Sequence, residues 1–398
     1  MFENLEMAPA DPILGLNELF KTDGNPKKVN LTIGIYLDEQ GICPVLSSVK
    51  QAEKILLEQE TTKNYLSIEG EAHFGKLVRE QLFGAGHKVL KENLAATVHT
   101  PGGTGALKVG ADFVAIQFPG AAVWISDPSW ANHRMLFSAA HYEVNSYPYL
   151  DAENYGLKFD AMLETLESVP EGNLVLVHGC CHNPTGIDLA RDQWDRLAEL
   201  FGRRSLIPFI DIAYQGLGDG LEEDAYGVRA FGEAGINMLV ASSFSKCFGL
   251  YRERVGALTL LASSPEEAER ALSNLRICVR TNYSSPPAHG GMIVDAVLST
   301  PELQKLWRNE LDVMRERIIN MRRLFVKTLK AMGVRRDFGF LLQQKGMFSY
   351  TGITGTPVLR LRDEYGVYML ENGRINVAGI TPRNVEYLCG AIAAVLEE

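Results

Sequence analysis

Three groups of complementary chemistry stand just beyond the ends of apolar runs: the amide of Asn183, the carboxylate of Asp211 and the amine of Lys246. A lysine amine condenses with an aldehyde to form an imine. A buried carboxylate keeps a pyridine nitrogen protonated, so that the ring draws electrons, and hydrogen-bond donors flank a ring hydroxyl. In that scheme Lys246 supplies the amine, Asp211 the carboxylate, and Asn183 and Tyr214 the donors. Once displaced from the aldehyde, the same lysine can carry a proton to and from a substrate carbon. A single Asp at a strand end is more often a helix cap or a turn residue. Three such groups, spaced by lengths natural for one strand-helix unit, point instead to a shared crevice.

An anion site is the next requirement. TPGGTGALKVG sets Pro101, Gly102, Gly103 and Gly105 before an apolar-periodic helix, where bare backbone N–H groups and a positive dipole end face an anion. By itself the run is equally at home as an ordinary helix start. It has neither the GxxxxGK[ST] spacing of a nucleotide P-loop nor the full GxGxxG fingerprint, so ATP and NAD fit poorly and a smaller phosphate ligand stays open.

The elements that must hold these groups follow from the apolar pattern. AAVWISD, LVLVHG, LIPFID and MLVASSFS alternate with helical patterns between about residues 95 and 260, which predicts an α/β fold with a largely parallel sheet. Ligands gather at the carboxyl ends of such strands, here Pro128 to Trp130, Asn183 to Gly186, Asp211 to Tyr214 and Ser242 to Lys246. Beyond Pro301, Leu303, Trp307, Leu311, Met314, Ile318, Met321, Phe325 and Leu329 step by three or four, predicting one long amphipathic helix that bridges two lobes. GMFSYTG, LRLRDEYG, RINVAG and a last helix capped by Thr381, with Pro382 at its first position, predict a compact α+β lobe. At 398 residues, a large domain over 44–313 and a smaller one from 1–43 and 314–398 are expected, with a cleft between lobes.

Composition narrows the classes. With 46% hydrophobic and 22% charged residues and no apolar stretch of membrane-spanning length, no membrane role is expected. The N-terminus has no basic region before an apolar stretch, which predicts a cytoplasmic protein. A net charge of −10 argues against a nucleic-acid partner. The six cysteines, Cys43, Cys180, Cys181, Cys247, Cys278 and Cys389, are scattered and are expected as reduced thiols. His178, Cys180, Cys181 and His182 crowd one strand end, but strand alternation sends neighbours to opposite faces and CxxC spacing is absent, so no metal is expected. Cys247 reads as a packed small residue rather than a nucleophile.

CHNPTG at 181–186, DIAYQG at 211–216, SFSKCFGLYRERVG at 243–256, NYSSPPAHG at 282–290 and GRINVAGITP at 373–382, with APADPILGL and TTKNYLSIEG nearer the N-terminus, resemble the class I aminotransferases of the aspartate/aromatic subfamily over essentially the entire chain. The resemblance implies a fold-type I, pyridoxal 5'-phosphate-dependent homodimer with active sites at the subunit interface, its substrates amino acids and 2-oxo acids and its kinetics ping-pong. It implies that Lys246 is the imine lysine, that Asp211 pairs with the pyridinium with His133 behind it, and that Asn183 and Tyr214 contact the ring oxygen. Gly103, Thr104, Ser243 and Arg254 are expected on the phosphate, with Tyr65 reaching in from a second subunit, and Trp130 over the ring. Gly34, Trp130 and Asn183 are expected beside the substrate. Arg374 clamps its α-carboxylate, and Arg280 of the partner subunit clamps a second carboxylate. Without the resemblance, both arginines read as surface charges.

The same resemblance divides the substrate range. Leu37, Cys43 and Ser285 match the aromatic-preferring pattern, while Asn64 and Thr104 match the aspartate-preferring one, which predicts dual use of aspartate or glutamate and of phenylalanine or tyrosine, with 2-oxoglutarate or oxaloacetate as acceptor. The alternatives are a strict aspartate aminotransferase, β-elimination or racemisation on the same fold, and a cofactor-sensing regulatory domain. The last needs a DNA-binding segment for which the N-terminus is expected to leave no room.

Overall fold

The computed structural model describes residues 2–7 and 14–397, so most of the APADPILGL motif lies outside the described residues. Two compact units divide the chain, residues 44–316 and residues 1–43 with 317–398. In the larger unit, seven strands form one sheet: β1 (Ala95–Pro101), β2 (Val123–Asp127), β3 (Val144–Pro148), β4 (Leu174–His178), β5 (Ile207–Ile212), β6 (Met238–Ser243) and β7 (Val255–Leu261). Their spatial order is 1-7-6-5-4-2-3. Pairings from β3 through β2, β4 and β5 to β6 are parallel, and β7 runs antiparallel to both β6 and β1.

The apolar runs become β2, β4, β5 and β6. Strands β4, β6 and β7 are buried along their whole length, which is why they read as continuous apolar runs and not as alternation. Helices cover the sheet: α1 (Gly102–Gln117) buries Leu107 and Phe113, and α2 (Ala131–Ala139) buries Phe137, in one cluster with Leu176, Phe209 and Leu258. Helix α3 (Pro265–Asn282) opens on Ser264, whose hydroxyl accepts from the Glu267 N–H, with Pro265 at the first position. Helix α4 spans Pro301–Ala331, and the boundary between the two units falls inside it. All eight apolar positions that predicted it, Leu303 through Leu329, are buried. Trp307 on α4 stacks on Phe248 at 4.5 Å and donates to the Cys247 carbonyl at 2.8 Å, holding the segment that bears Lys246.

In the smaller unit, Phe348–Tyr350 pairs antiparallel with Arg374–Asn376, and Val29–Asn30 pairs parallel with Val367–Tyr368. LRLRDEYG forms the helix Thr356–Tyr365, closed by Gly366 in the left-handed region. One expectation is corrected: the last helix is Val385–Leu396, with Asn384 and not Thr381 at its cap position. The Thr381 hydroxyl accepts from the Asn384 N–H at 3.2 Å, while the Asn384 side chain accepts from the Thr381 N–H at 2.8 Å. This reciprocal pair closes a tight turn over Pro382, and the α-helix begins only after it. Among the described residues no helix is long and apolar enough to cross a membrane, and none of the six cysteines is in a disulfide.

Candidate active site

Parallel pairing aligns the carboxyl ends of the central strands: His178 is level with Asp211, Asp211 with Ala241, and Ile212 with Ser242. Asp211 is buried, and its Oδ2 lies 2.9 Å from Nε2 of His133, which α2 carries fully buried beneath it. The Ser129 hydroxyl sits 2.9 Å from the other ring nitrogen, Nδ1. A proton on Nε2 lets His133 donate to the carboxylate while Nδ1 accepts from the Ser129 hydroxyl. Burial pushes the Asp211 carboxyl up, but the hydrogen bond from His133, with the favourable electrostatics of His133, His178 and Lys246, outweighs it, and the group stays below its ordinary value. Asp211 is therefore a buried anion at neutral pH.

Lys246 lies in the segment that joins β6 to β7. Its Nζ is 4.8 Å from the centroid of the Tyr214 ring. Burial lowers its amine below the usual lysine value; Asp211 opposes the shift and Arg254 adds to it. Tyr214 and Asn183 are buried on the loops that follow β5 and β4, and Trp130, just before α2, sets its ring edge-on to His133 at 5.2 Å.

Around the start of α1 the backbone forms a cradle. Gly102 has φ +74°, and a Cβ there would meet Nη2 of Arg254 at 2.4 Å; at Gly103 a Cβ would meet Cβ of Ser243 at 3.0 Å. Arg254 itself sits at φ +53°, with Nη1 donating to the Ser245 hydroxyl at 3.2 Å and the Tyr251 carbonyl at 3.3 Å. Glycine is required at 102 so that the guanidinium can approach the helix N-terminus. Thr104 follows in the first turn of α1.

Other expected residues gather elsewhere. Asn64, Tyr65, Arg280 and Ser285 line one cavity of about 790 Å³, whose lining includes none of the Lys246 group. Tyr65 is 94% exposed there, and Arg280, at the end of α3, donates to the Ser284 hydroxyl. In the smaller unit Arg374 is buried, lies 4.2 Å over the Phe348 ring and donates to the Thr32 carbonyl. Gly34 packs on the same ring, where a Cβ would meet Phe348 Cζ at 2.7 Å. Next but one along the strand, Asn376 donates to the carbonyls of Ile33 and Ile35, at 2.6 and 2.8 Å, fixing the backbone around Gly34. Leu37 and Cys43 are partly buried in that unit.

Ser129, Ser245 and Thr32 were not singled out from sequence. Ser129 stood four residues before His133, at helical reach, which is the signal that could have marked it. Burial pushes the Cys247 thiol up to about 12, so it stays protonated beside Lys246. The alternation argument for Cys180 and Cys181 does not hold. Both lie beyond the end of β4, and Cys181 adopts φ +50°, so their sulfurs and an Asp224 oxygen fall within 4.8 Å of one another.

A seven-stranded, mostly parallel sheet presenting lysine, carboxylate and anion cradle at the carboxyl ends of its strands is the fold-type I architecture, and the family model for aminotransferase class I and II matches residues 26–392. The chain belongs to that family, whose cofactor is pyridoxal phosphate. It is 54% identical over 396 residues to an aspartate aminotransferase of Escherichia coli K12, and 48% identical over 397 to the aromatic-amino-acid aminotransferase of the same strain, with all of each chain covered. Its structure resembles that of an aromatic-amino-acid aminotransferase from Burkholderia pseudomallei covalently bound to pyridoxal phosphate. The TM-score is 0.97 and the identity 50%, over 100% of this chain and 99% of that one. The residues present suit the cofactor: the glycines at the start of α1 let the Arg254 guanidinium approach the helix N-terminus, a pairing that suits a phosphate, and the Asp211 anion suits a protonated ring nitrogen.

Proposed function

We propose that this aminotransferase moves amino groups between aspartate or glutamate, phenylalanine or tyrosine, and 2-oxoglutarate or oxaloacetate, in two half-reactions on one site. The observation that carries the reading is the meeting of Lys246, the Asp211–His133 pair and the Gly102–Arg254 cradle at the carboxyl ends of strands in one sheet. When bound, pyridoxal phosphate supplies an aldehyde for amine exchange and a ring that draws electrons from the substrate α-carbon. Lys246 anchors it and, once replaced by substrate, holds and moves the α-proton at Nζ; the lowered amine pKa favours the neutral form that this needs. Asp211, fixed by His133, keeps a negative charge under the ring nitrogen, and Asn183 and Tyr214 donate to the ring oxygen. Gly103, Thr104, Ser243 and Arg254 bind the phosphate, and Trp130 covers the ring.

Arg374 clamps the substrate α-carboxylate beside Gly34, and Arg280 the second carboxylate of a dicarboxylic substrate. We further propose that the chain works as a cytoplasmic homodimer in which Tyr65 and Arg280 serve the partner's site. The exposed Tyr65 beside Arg280 supports the shared site, and six cysteines outside any disulfide support the location.

Substrate range is tested by a donor and acceptor panel on wild type and Arg280→Ala. Loss of a bidentate charged contact should lower kcat/KM for aspartate by roughly 10²- to 10³-fold and leave phenylalanine within severalfold. A wild type with no measurable phenylalanine or tyrosine turnover would make it a strict aspartate enzyme.

A further inference from the structure

Two thiols and a carboxylate that the proposed reaction does not use meet behind the Asn183 loop. Cys180 and Cys181 are each at most 4% exposed, Asp224 is 6% exposed, and the three ligand atoms lie within 4.8 Å of one another. Neither sulfur is in a disulfide. We propose that these side chains form a site for a thiophilic divalent cation of the zinc or cadmium type, and that filling it locks the two segments that carry Asn183 and Tyr214.

The donor set is the first argument. Two thiolates with a carboxylate suit zinc and its softer congeners far better than calcium or magnesium, which take oxygen alone. Distance is the second. Around a tetrahedral ion with bonds of about 2.3 Å, neighbouring ligand atoms are roughly 3.8 Å apart, so the present spacing closes with movements of about 1 Å or less. On binding, each thiol releases its proton to solvent as its sulfur bonds the metal, and no redox change occurs. Without a cation, the hydrogen bond between the thiols, and then burial, raise Cys180 well above its usual value. Asp188 fixes the sulfur-bearing backbone by accepting from the N–H groups of Cys181 and His182, at 2.7 and 2.8 Å.

The third argument is what the carboxylate already holds. Asp224 accepts from the N–H groups of Gly216, Gly218 and Asp219 at 2.8 to 2.9 Å, which fixes the turn that follows Tyr214. Cys181 stands two residues before Asn183. A cation shared by Asp224 and both sulfurs therefore ties the Asn183 segment to the Tyr214 turn, and its pull on both should lower transamination. The metal site stands apart from the proposed function; only the activity effect rests on it.

The holoenzyme titrated with cadmium chloride should develop near-ultraviolet sulfur-to-metal absorption saturating at one ion per chain. The band should be lost in Cys180→Ser and Cys181→Ser and kept in Cys43→Ser and Cys278→Ser. X-ray absorption of the zinc-loaded wild type should show two sulfurs at about 2.3 Å. This decides the matter even where a variant misfolds: one sulfur or none overturns the site and leaves a buried hydrogen-bonded thiol pair, as does a band that persists in the double variant. Transamination should fall at least tenfold on loading and return with chelator. A fully loaded enzyme of unchanged activity would refute the coupling while keeping the site.

Discussion

At the scale of single residues, burial sorts the ionisable groups of the larger unit into fixed charge states. His178 is buried against His133 and His182, neither of its ring nitrogens has a hydrogen-bond partner among the described residues, and burial brings its pKa down to about 3. An unfolded chain takes up that proton near pH 6.5, the native one only near pH 3. Between those values the unfolded state binds more protons, so the stability contributed by neutral His178 is complete above pH 6.5 and lost as pH falls, by up to about 1.4 kcal/mol per pH unit. Burial moves His182 in the same direction. Urea midpoints from pH 4.5 to 7 should fall with acidification, and His178→Phe should flatten the slope by about one proton; an unchanged slope counts against a neutral native His178. Lys246→Ala should remove steady-state transamination and the aspartate-dependent shift of the visible band while leaving ellipticity intact, since the side chain is only partly buried and fills no core position; turnover at the wild-type rate would reject the assignment. Lys246, Asp211 and Tyr214 were legible because each follows an apolar run. Ser129 and Ser245 were not, because a serine acts here only through the neighbour it contacts.

At the scale of elements, the sequence carried the sheet and its covering helices because full burial leaves unbroken apolar runs, and α4 because its apolar period persists over eight positions. What it did not carry was local backbone sign. The positive φ of Cys181 and the turn before Val385 both depend on individual dihedrals and hydrogen bonds that no periodicity records. The cradle at the start of α1 depends on such a dihedral as well, at Gly102. Gly102→Ala would force a left-handed residue with a Cβ into Arg254, so the guanidinium must retreat from the helix N-terminus. Cofactor affinity should weaken by at least tenfold with the fold retained. Equilibrium dialysis against pyridoxal phosphate measures this, and an unchanged Kd would detach Gly102 from phosphate binding.

At the scale of the whole molecule, Tyr65 and Arg280 open on a cavity whose lining includes none of the Lys246 group, and the proposed homodimer assigns both to the partner's site. Mixing inactive Lys246→Ala chains with inactive Arg280→Ala chains should restore aspartate turnover, because a mixed dimer then contains one site with both lesions and one with neither. Demonstrated subunit exchange without recovery would return Arg280 to its own chain's site. Assembly of this kind is hardest to read from sequence: an exposed tyrosine and a surface arginine look alike whether they face water or a second copy.

The reversed strand β7 has one more consequence. A chain that leaves a parallel strand normally travels the length of the sheet before re-entering it, yet here it turns back at once, and Ser243 and Gly256 face each other as a paired rung. The stretch between them, with Lys246 inside, is an arch whose two feet are cast in the same slab. The reactive amine is aimed by the sheet through both feet, with Trp307 of α4 bracing the span at the Cys247 carbonyl.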